Sequence, residues 1–410
     1  MQYLWPGLHQ AWQHRGGPAL TGAGSTLATS TFPCALNQPV SFGDPAKFVI
    51  QLHVAEDCLD LPYTREIIER AQLPVTVVSE RGVPAVAGDY PGNLSAGKRH
   101  LLLCRNRGAF FKPCPGTREY RCCDYQVLNI GMNCPMDCVY CILQAYLNNP
   151  WLSFFVNVEA LFAELDTALA AEPQRFFRIG TGEFTDSLAL DSLTHLSPKL
   201  VRYMAGQRNA VLELKSKSVN IENLRGLEHG GRRLVAWSLN SAVIMAREEI
   251  RTATLEERLE AAARCAEWGY QLAFHFDPII LHEGWQAGYQ STIERLFSVV
   301  PAKAIAWISL GALRYLPSLK QIAAERFPQS HFFYQEFIDG LDGKRRYFRS
   351  ERVAMYRFIL ERLQRHAHPR TCIYFCMEND TIWREVFGFA PEERGGLPTM
   401  LDAAVGWPVA

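Results

Sequence analysis

The chain has no surplus of charge and no long apolar run. Its 42 lysines and arginines are matched by 42 aspartates and glutamates. No global attraction therefore draws it to a polyanion, and any nucleic-acid surface has to be a local patch. Nowhere do eighteen apolar residues follow one another, so no membrane span is expected. The opening MQYLWPGLHQAWQHRGG lacks a basic segment followed by an apolar one. It does not read as a secretory signal, and the expected location is the cytoplasm. Neither an internal repeat nor an HExxH zinc motif occurs. What remains is 410 residues with 48% hydrophobic content, material for one large domain with appendages.

Cysteine, by contrast, is plentiful, with twelve in the chain. In a reducing compartment a disulfide framework is not expected, and clustered thiols point to metal binding or redox work. Cys34, Cys58, Cys104, Cys114 and Cys265 are scattered and read as small buried hydrophobes. The pairs Cys122–Cys123 and Cys372/Cys376 are less easily dismissed, though the same packing reading is the leading one for each. The densest group is NCPMDCVYCILQ, residues 133–144, which holds Cys134, Cys138 and Cys141 and has no fourth cysteine nearby. A structural zinc site takes four ligands, and the local candidates Asp137 and Tyr140 are poor ones. A 4Fe–4S cluster on three protein thiolates leaves one iron open. The missing ligand is then a place for a substrate or cofactor.

Residues 1–45, rich in Gly, Ser, Thr, Pro and Ala, read as a poorly ordered leader. A small α/β region is expected over 46–120, with strands FVIQLHVA and VTVVS around the helix TREIIERAQ. Over 121–330 strand and helix patterns alternate. The apolar runs are YQVLNIGM, RFFRIGTG, AVLELKSK, LVAWSLNS, QLAFHFDPII and AIAWISLGAL. Helical spacing lies between them in VEALFAELDTALAA, DSLTHLSPKLVRYMAG, SVNIENLRGLEH, TLEERLEAAARCAEWG and WQAGYQSTIERLFSVV. This predicts an α/β fold with a parallel sheet, either an incomplete (β/α)6 barrel or an open doubly wound sheet. Over 331–410 a hairpin around GLDGK, a helix, a strand and a last helix are expected, with a loose tail beyond Pro391. In either sheet the three-cysteine loop, directly after the first strand, falls on the rim where ligands bind.

CxxxCxxC with an aromatic before the third cysteine resembles the radical S-adenosylmethionine (AdoMet) superfamily. CVYCILQAYL, SKSVNIENL with WSLNS, the run from ERLEAAARCAEWG to IILHEGWQAGY, and the KRRY hairpin are similar, in order, to the spore photoproduct lyase family. The stretch from HVAEDCLD through PGNLSAGKRHLLL follows its N-terminal region, so the resemblance spans roughly residues 50–350.

That resemblance implies a radical-AdoMet partial barrel, a 4Fe–4S cluster on Cys134, Cys138 and Cys141, and AdoMet as cofactor. It implies hydrogen abstraction from a modified thymine in DNA and fragmentation of a C–C bond. DNA and an electron donor such as flavodoxin or ferredoxin are the implied partners. RIGTGEFTD corresponds to the element that meets the AdoMet ammonium. Gly180 and Gly182 would allow close backbone approach, and Glu183 would accept from the ammonium. Lys217 and Ser238 match positions for the carboxylate and ribose, with Asn240 a further candidate and Lys215 a competitor for Lys217. Tyr140 matches a radical-relay tyrosine, while the second relay position reads Ile142. Glu183 also falls where the family carries a hydrogen-donating cysteine; Cys376 and Cys123 are candidate replacements.

The hairpin residues Lys344, Arg345, Arg346 and Tyr347 interleave charge with an aromatic ring, as suits contact with DNA phosphates and bases. The same segment also suits an edge hairpin kept soluble by charge. One of His275 and Asp277 could face the pocket, or both could form a satisfied polar pair at a strand end. Two alternatives accompany lesion repair. One is radical modification of another nucleic-acid or nucleotide substrate. The other is a non-enzymatic DNA-binding protein with a structural or redox-sensing cluster, which the GTGE element, Lys217 and Ser238 argue against.

Overall fold

A computed structural model describes residues 43–407 apart from 117, 118 and 232; almost all of the expected leader lies outside these. The large sheet has eight strands. In spatial order they are Cys372–Phe375, Ile305–Ala312, Gln271–Ile279, Arg233–Ser238, Ala210–Ser216, Phe177–Gly180, Gln126–Leu128 and Phe111–Pro113. The middle six are the six strands the sequence predicts, in chain order and all parallel. Cys372–Phe375 adds another parallel strand beside Ile305–Ala312, and Phe111–Pro113 pairs antiparallel at the opposite edge. The sheet is therefore an open, curled α/β half-barrel that continues past the expected six strands.

Its strands read as unbroken apolar runs because both faces are covered. All eight residues of Ile305–Ala312 and all six of Arg233–Ser238 are buried. The helices Val158–Ala171, Leu255–Glu267 and Trp285–Val299 fall where the spacing places them. Thr254 starts the second with a capping box, its Oγ1 accepting from the Glu257 amide while the Glu257 carboxylate accepts from the Thr254 amide.

A second sheet runs Val75–Val78, Gln51–Ala55, His100–Cys104, Leu152–Phe155, Gly131–Met132. It draws its last two strands from beyond residue 120. YQVLNIGM is thus not one strand. Gln126–Leu128 lies in the large sheet, and Gly131–Met132 crosses to pair antiparallel with Leu152–Phe155. An added Cβ at Gly131 would lie 2.4 Å from the Ser153 carbonyl oxygen, so only glycine permits that close crossing.

Two further expectations are corrected. SVNIENLRGLEH forms only a short 3-10 turn, Glu222–Leu224, because Gly226 at φ +70° turns the chain away. Between Pro391 and residue 407 the tail is ordered: Leu397–Ala404 is helical and buries Leu397, Leu401 and nearby Val405, one apolar side chain every four residues. Each such burial contributes about 1.5–3 kcal/mol. Trp407 stacks on Phe176 at 4.5 Å between ring centroids, and Asp402 pairs with Arg178 of the strand Phe177–Gly180.

Candidate active site

The three-cysteine loop follows Gly131–Met132, not the first large-sheet strand, and is held from several sides. The amides of Asp137 and Val139 donate to the carbonyls of Ile250 (2.9 Å) and Glu248 (2.8 Å). Gln144, from the ILQ segment, donates its side-chain amide to the carbonyls of Cys138 and Val139, both at 3.1 Å. Asp137 proves to be the loop's anchor and not a ligand. Its carboxylate lies 2.9 Å from Lys98 Nζ, 2.8 Å from Arg326 Nη2 and 3.0 Å from Arg251 Nη2, all inside the protein. Burial alone would raise its pKa, but Lys98, Arg326 and Arg251 outweigh that and hold it well below the usual carboxylate range. Three cations around one carboxylate leave positive charge facing the thiols, which suits thiolate ligands.

Cys134, Cys138 and Cys141 line a cavity of about 330 Å³, within the size range of small-molecule sites. Burial pushes Cys138 up to about 12 and Cys134 well above the ordinary thiol range. Metal binding would displace those protons. Among the described residues no three His, Cys, Asp or Glu side chains are already gathered in metal-ligating position. The fit to a cluster rests on the donor set, its common cavity and the surrounding charge.

Gly182, Glu183, Lys215, Lys217 and Ser238 line the same cavity. Asp186, at the end of the GTGEFTD element, fixes much of this wall. Its Oδ1 accepts from the Ser216 hydroxyl (2.7 Å) and the Leu188 and Ala189 amides, and its Oδ2 from the Lys217 amide (2.8 Å). One carboxylate thereby ties the loop after one strand to the end of the next. Glu183 and the Ser238 hydroxyl make no hydrogen bond among the described residues, and both line the cavity, open to a ligand.

Other expected cofactor residues lie elsewhere. Gly180 is not on the cavity wall; a Cβ there would lie 1.5 Å from the Tyr125 hydroxyl oxygen, so the glycine makes room for that ring. Asn240 is buried and fully engaged, donating to the Pro278 carbonyl (2.7 Å) and accepting from the Tyr289 hydroxyl (2.5 Å) and the Ser241 amide (3.0 Å).

Tyr140 lies on the cavity wall and donates its hydroxyl to Glu249. Burial, then the Glu249 charge, raises its pKa well above the ordinary phenol value, so it stays protonated. Glu249 also accepts from Arg258 at 2.5 Å. Burial would raise the Glu249 pKa, but Arg258 and Lys217 lower it. A phenol donating to a carboxylate base can release its proton as it loses an electron.

His275 and Asp277 divide the two readings of FHFDPII. Asp277 faces the cavity, paired with Arg314 at 2.9 Å. His275 points into the sheet, where Nε2 meets Glu213 (2.8 Å) and Nδ1 meets Ser309 (2.7 Å). Glu213 also accepts from Tyr125 (2.7 Å) and the Trp307 indole (3.0 Å). Burial opposes its charge, but His275 and Tyr125 hold its pKa below the carboxylate range. Its stabilisation is thus complete above the unfolded-state value of about 4.3 and lost as pH falls below it. Glu213→Gln is expected to cost about 3 kcal/mol or more in urea unfolding at neutral pH, and the difference from wild type should shrink steadily below about pH 4.

The hairpin is present as Ile338–Asp339 paired antiparallel with Arg345–Arg346, extended by Arg314–Tyr315 into a three-stranded sheet. Of its expected DNA contacts, two are inside the protein. Arg346 pairs with Asp342 at 2.7 Å and stacks 3.9 Å from the Tyr120 ring centroid. Tyr347 is fully buried and its hydroxyl accepts from the Leu281 amide. Lys344 faces the cavity, while Arg345 is half-buried and pairs with Asp339. Leu341 at the tip, 78% exposed, and Phe348 are outward-facing apolar groups that charge-based reading passes over.

An open α/β half-barrel whose three-cysteine loop shares one cavity with Glu183, Lys217 and Ser238 has the parts of a radical-AdoMet lyase. Within that class the chain belongs to the spore photoproduct lyase family, whose model matches residues 98–375. It is 25% identical over 284 residues to the spore photoproduct lyase of Bacillus subtilis (strain 168), spanning 66% of this chain and 79% of that one. With the Geobacillus sp. (strain Y412MC61) spore photoproduct lyase it shares 24% over 299 residues, 71% and 84% of the two chains. The fold matches a solved variant of spore photoproduct lyase with bound AdoMet and dinucleoside spore photoproduct. The TM-score is 0.72 at 21% identity, over 80% of this chain and 99% of the other.

Proposed function

We propose that this chain repairs spore photoproduct in DNA, splitting the C–C bond between two thymines. The observation that carries it is the shared wall of one cavity, where the three loop cysteines face Gly182, Glu183, Lys217 and Ser238, in a chain of this family. Cys134, Cys138 and Cys141 would hold a 4Fe–4S cluster, which together with AdoMet supplies a 5′-deoxyadenosyl radical. Lys217 would meet the AdoMet carboxylate, Glu183 its ammonium and Ser238 its ribose. Tyr140 keeps its proton at Glu249, and the buried wall keeps water from a radical. An electron donor such as flavodoxin or ferredoxin would deliver single electrons. DNA contact falls to the half-buried Arg345 and to Leu341 and Phe348, the exposed apolar groups beside it, which could brace an opened duplex.

Glu183 and Ile142 favour a second reading, radical modification of another nucleic-acid or nucleotide substrate. A carboxylate has no weak S–H bond to give up. The test uses anaerobically reconstituted, dithionite-reduced protein and measures 5′-deoxyadenosine with and without an oligonucleotide carrying spore photoproduct. Lesion-dependent formation with thymines recovered is the expected result. Formation indifferent to the lesion would transfer the chemistry to the second reading, and no formation at all would overturn both.

A further inference from the structure

Seven of the eleven described cysteines line the one cavity: the three loop thiols and Cys114, Cys122, Cys123 and Cys376. Cys58, Cys265 and Cys372 are buried elsewhere, as packing thiols are. The radical chemistry uses three of the seven. Cys114, which its isolated position in the sequence marks as a packing residue, is on the cavity wall.

The other four come from two distant segments joined by hydrogen bonds. Cys114 and the Cys122–Cys123 pair lie in the turn between the antiparallel strands Phe111–Pro113 and Gln126–Leu128, closed by the Cys114 amide donating to the Tyr125 carbonyl at 2.8 Å. Cys376 follows the edge strand Cys372–Phe375, its amide bonded to the Leu310 carbonyl at 2.9 Å. The Arg121 amide donates to the Glu378 carbonyl at 2.9 Å, and its guanidinium holds Asp380, so the two segments are latched together. Cys114 lies within electrostatic reach of Cys376 and Cys122, and Cys123 within reach of Cys376, Cys122 and Cys114. Asp124 and Met377, each directly after a thiol of the set, have φ +58°. Non-glycine residues hold that conformation at a cost of order 1 kcal/mol.

We propose that Cys114, Cys122, Cys123 and Cys376 ligate a second 4Fe–4S cluster, facing the first across the cavity. Four thiolates complete such a cluster, leaving no open iron. The spacing disfavours zinc, whose cysteines come in C-x(2–4)-C pairs on one turn; here two are adjacent and the others far apart in sequence. The bound cluster carries net negative charge in a partly buried place, and cations are present to meet it. Arg314 Nη2 lies 3.4 Å from Cys376 Sγ, and Lys215 and Lys344 line the same wall. Binding displaces four thiol protons to solvent and needs iron and sulfide from cluster assembly.

The test is made on full-length protein carrying Cys134→Ser, Cys138→Ser and Cys141→Ser, reconstituted anaerobically with iron and sulfide. About four irons per chain are expected, against about eight in wild type. Dithionite reduction should give a cluster EPR signal that AdoMet leaves unchanged, and Cys114, Cys122, Cys123 and Cys376 should resist alkylation. An iron-free folded variant would overturn the proposal, as would zinc held by these four thiols. If the triple variant fails to fold, Cys114→Ser/Cys376→Ser decides. Wild type at about eight irons falling to about four supports the second cluster, and an iron content unchanged from wild type overturns it. No readout involves DNA repair, so the outcome stands apart from the proposed function.

Discussion

Asp137→Asn is expected to destabilise the protein by about 3–5 kcal/mol, the cost of removing one partner from a buried ion cluster. The side chains of Lys98, Arg326 and Arg251 are 2%, 4% and 10% exposed, so water cannot take over from the lost carboxylate. Asparagine keeps the shape and some hydrogen bonds but leaves three cations facing one another. In thermal unfolding the loss corresponds to a fall in Tm of roughly 3–6 °C for a chain of this size. The variant should also load less iron, because the anchored residue lies between Cys134 and Cys138. The depressed pKa of Asp137 fixes the sign of the pH dependence. Its contribution is complete above the unfolded value of about 3.9 and is lost only as pH falls below it. The gap between wild type and variant should therefore be flat from neutral pH to about pH 5. An unchanged Tm with full iron content would show that the loop is held by its backbone bonds alone.

Cys138→Ala is expected to remove AdoMet cleavage, by on the order of 10³-fold or more, as loss of an essential member of a catalytic unit does. Two remaining thiolates at the loop cannot hold a cubane with a single open iron. Cys138 is buried, and alanine removes one sulfur, so the fold should survive with a cost of about 1–2 kcal/mol. Measured together, circular dichroism near wild type and 5′-deoxyadenosine at background separate chemistry from folding. Cys58→Ala, a buried thiol away from the cavity, is the control and should keep cleavage. Cleavage surviving in Cys138→Ala would remove that thiol from the cluster.

Much of the fold is legible in the sequence because a buried parallel strand is a local signal. AIAWISLGAL and LVAWSLNS are mostly apolar, and the structure buries their strands on both faces. YQVLNIGM misleads because two short strands of different sheets follow one another with only Asn129 and Ile130 between them. The ordered tail is less visible because Leu397 and Leu401 lie in a segment opened by Gly395, Gly396 and Pro398, whose turn chemistry masks a short helix. The site divides similarly. The cysteine loop is a contiguous motif and is read directly. Gly180 and Asn240 match by position, yet Tyr125 and Tyr289 claim them, and those partners are distant in sequence.

By itself, then, the sequence determined the α/β alternation, the three-thiol loop with its open position, and the family resemblance. Each is written in residues that are neighbours in the chain. Tertiary structure alone decided that Asp137 anchors the loop, that Arg346 and Tyr347 turn inward, and that Cys114, Cys122, Cys123 and Cys376 share the cavity of the loop cysteines. Those outcomes depend on which side chains from distant segments are desolvated together. A buried charge or thiol takes its role from the groups packed against it, and no local spacing encodes that.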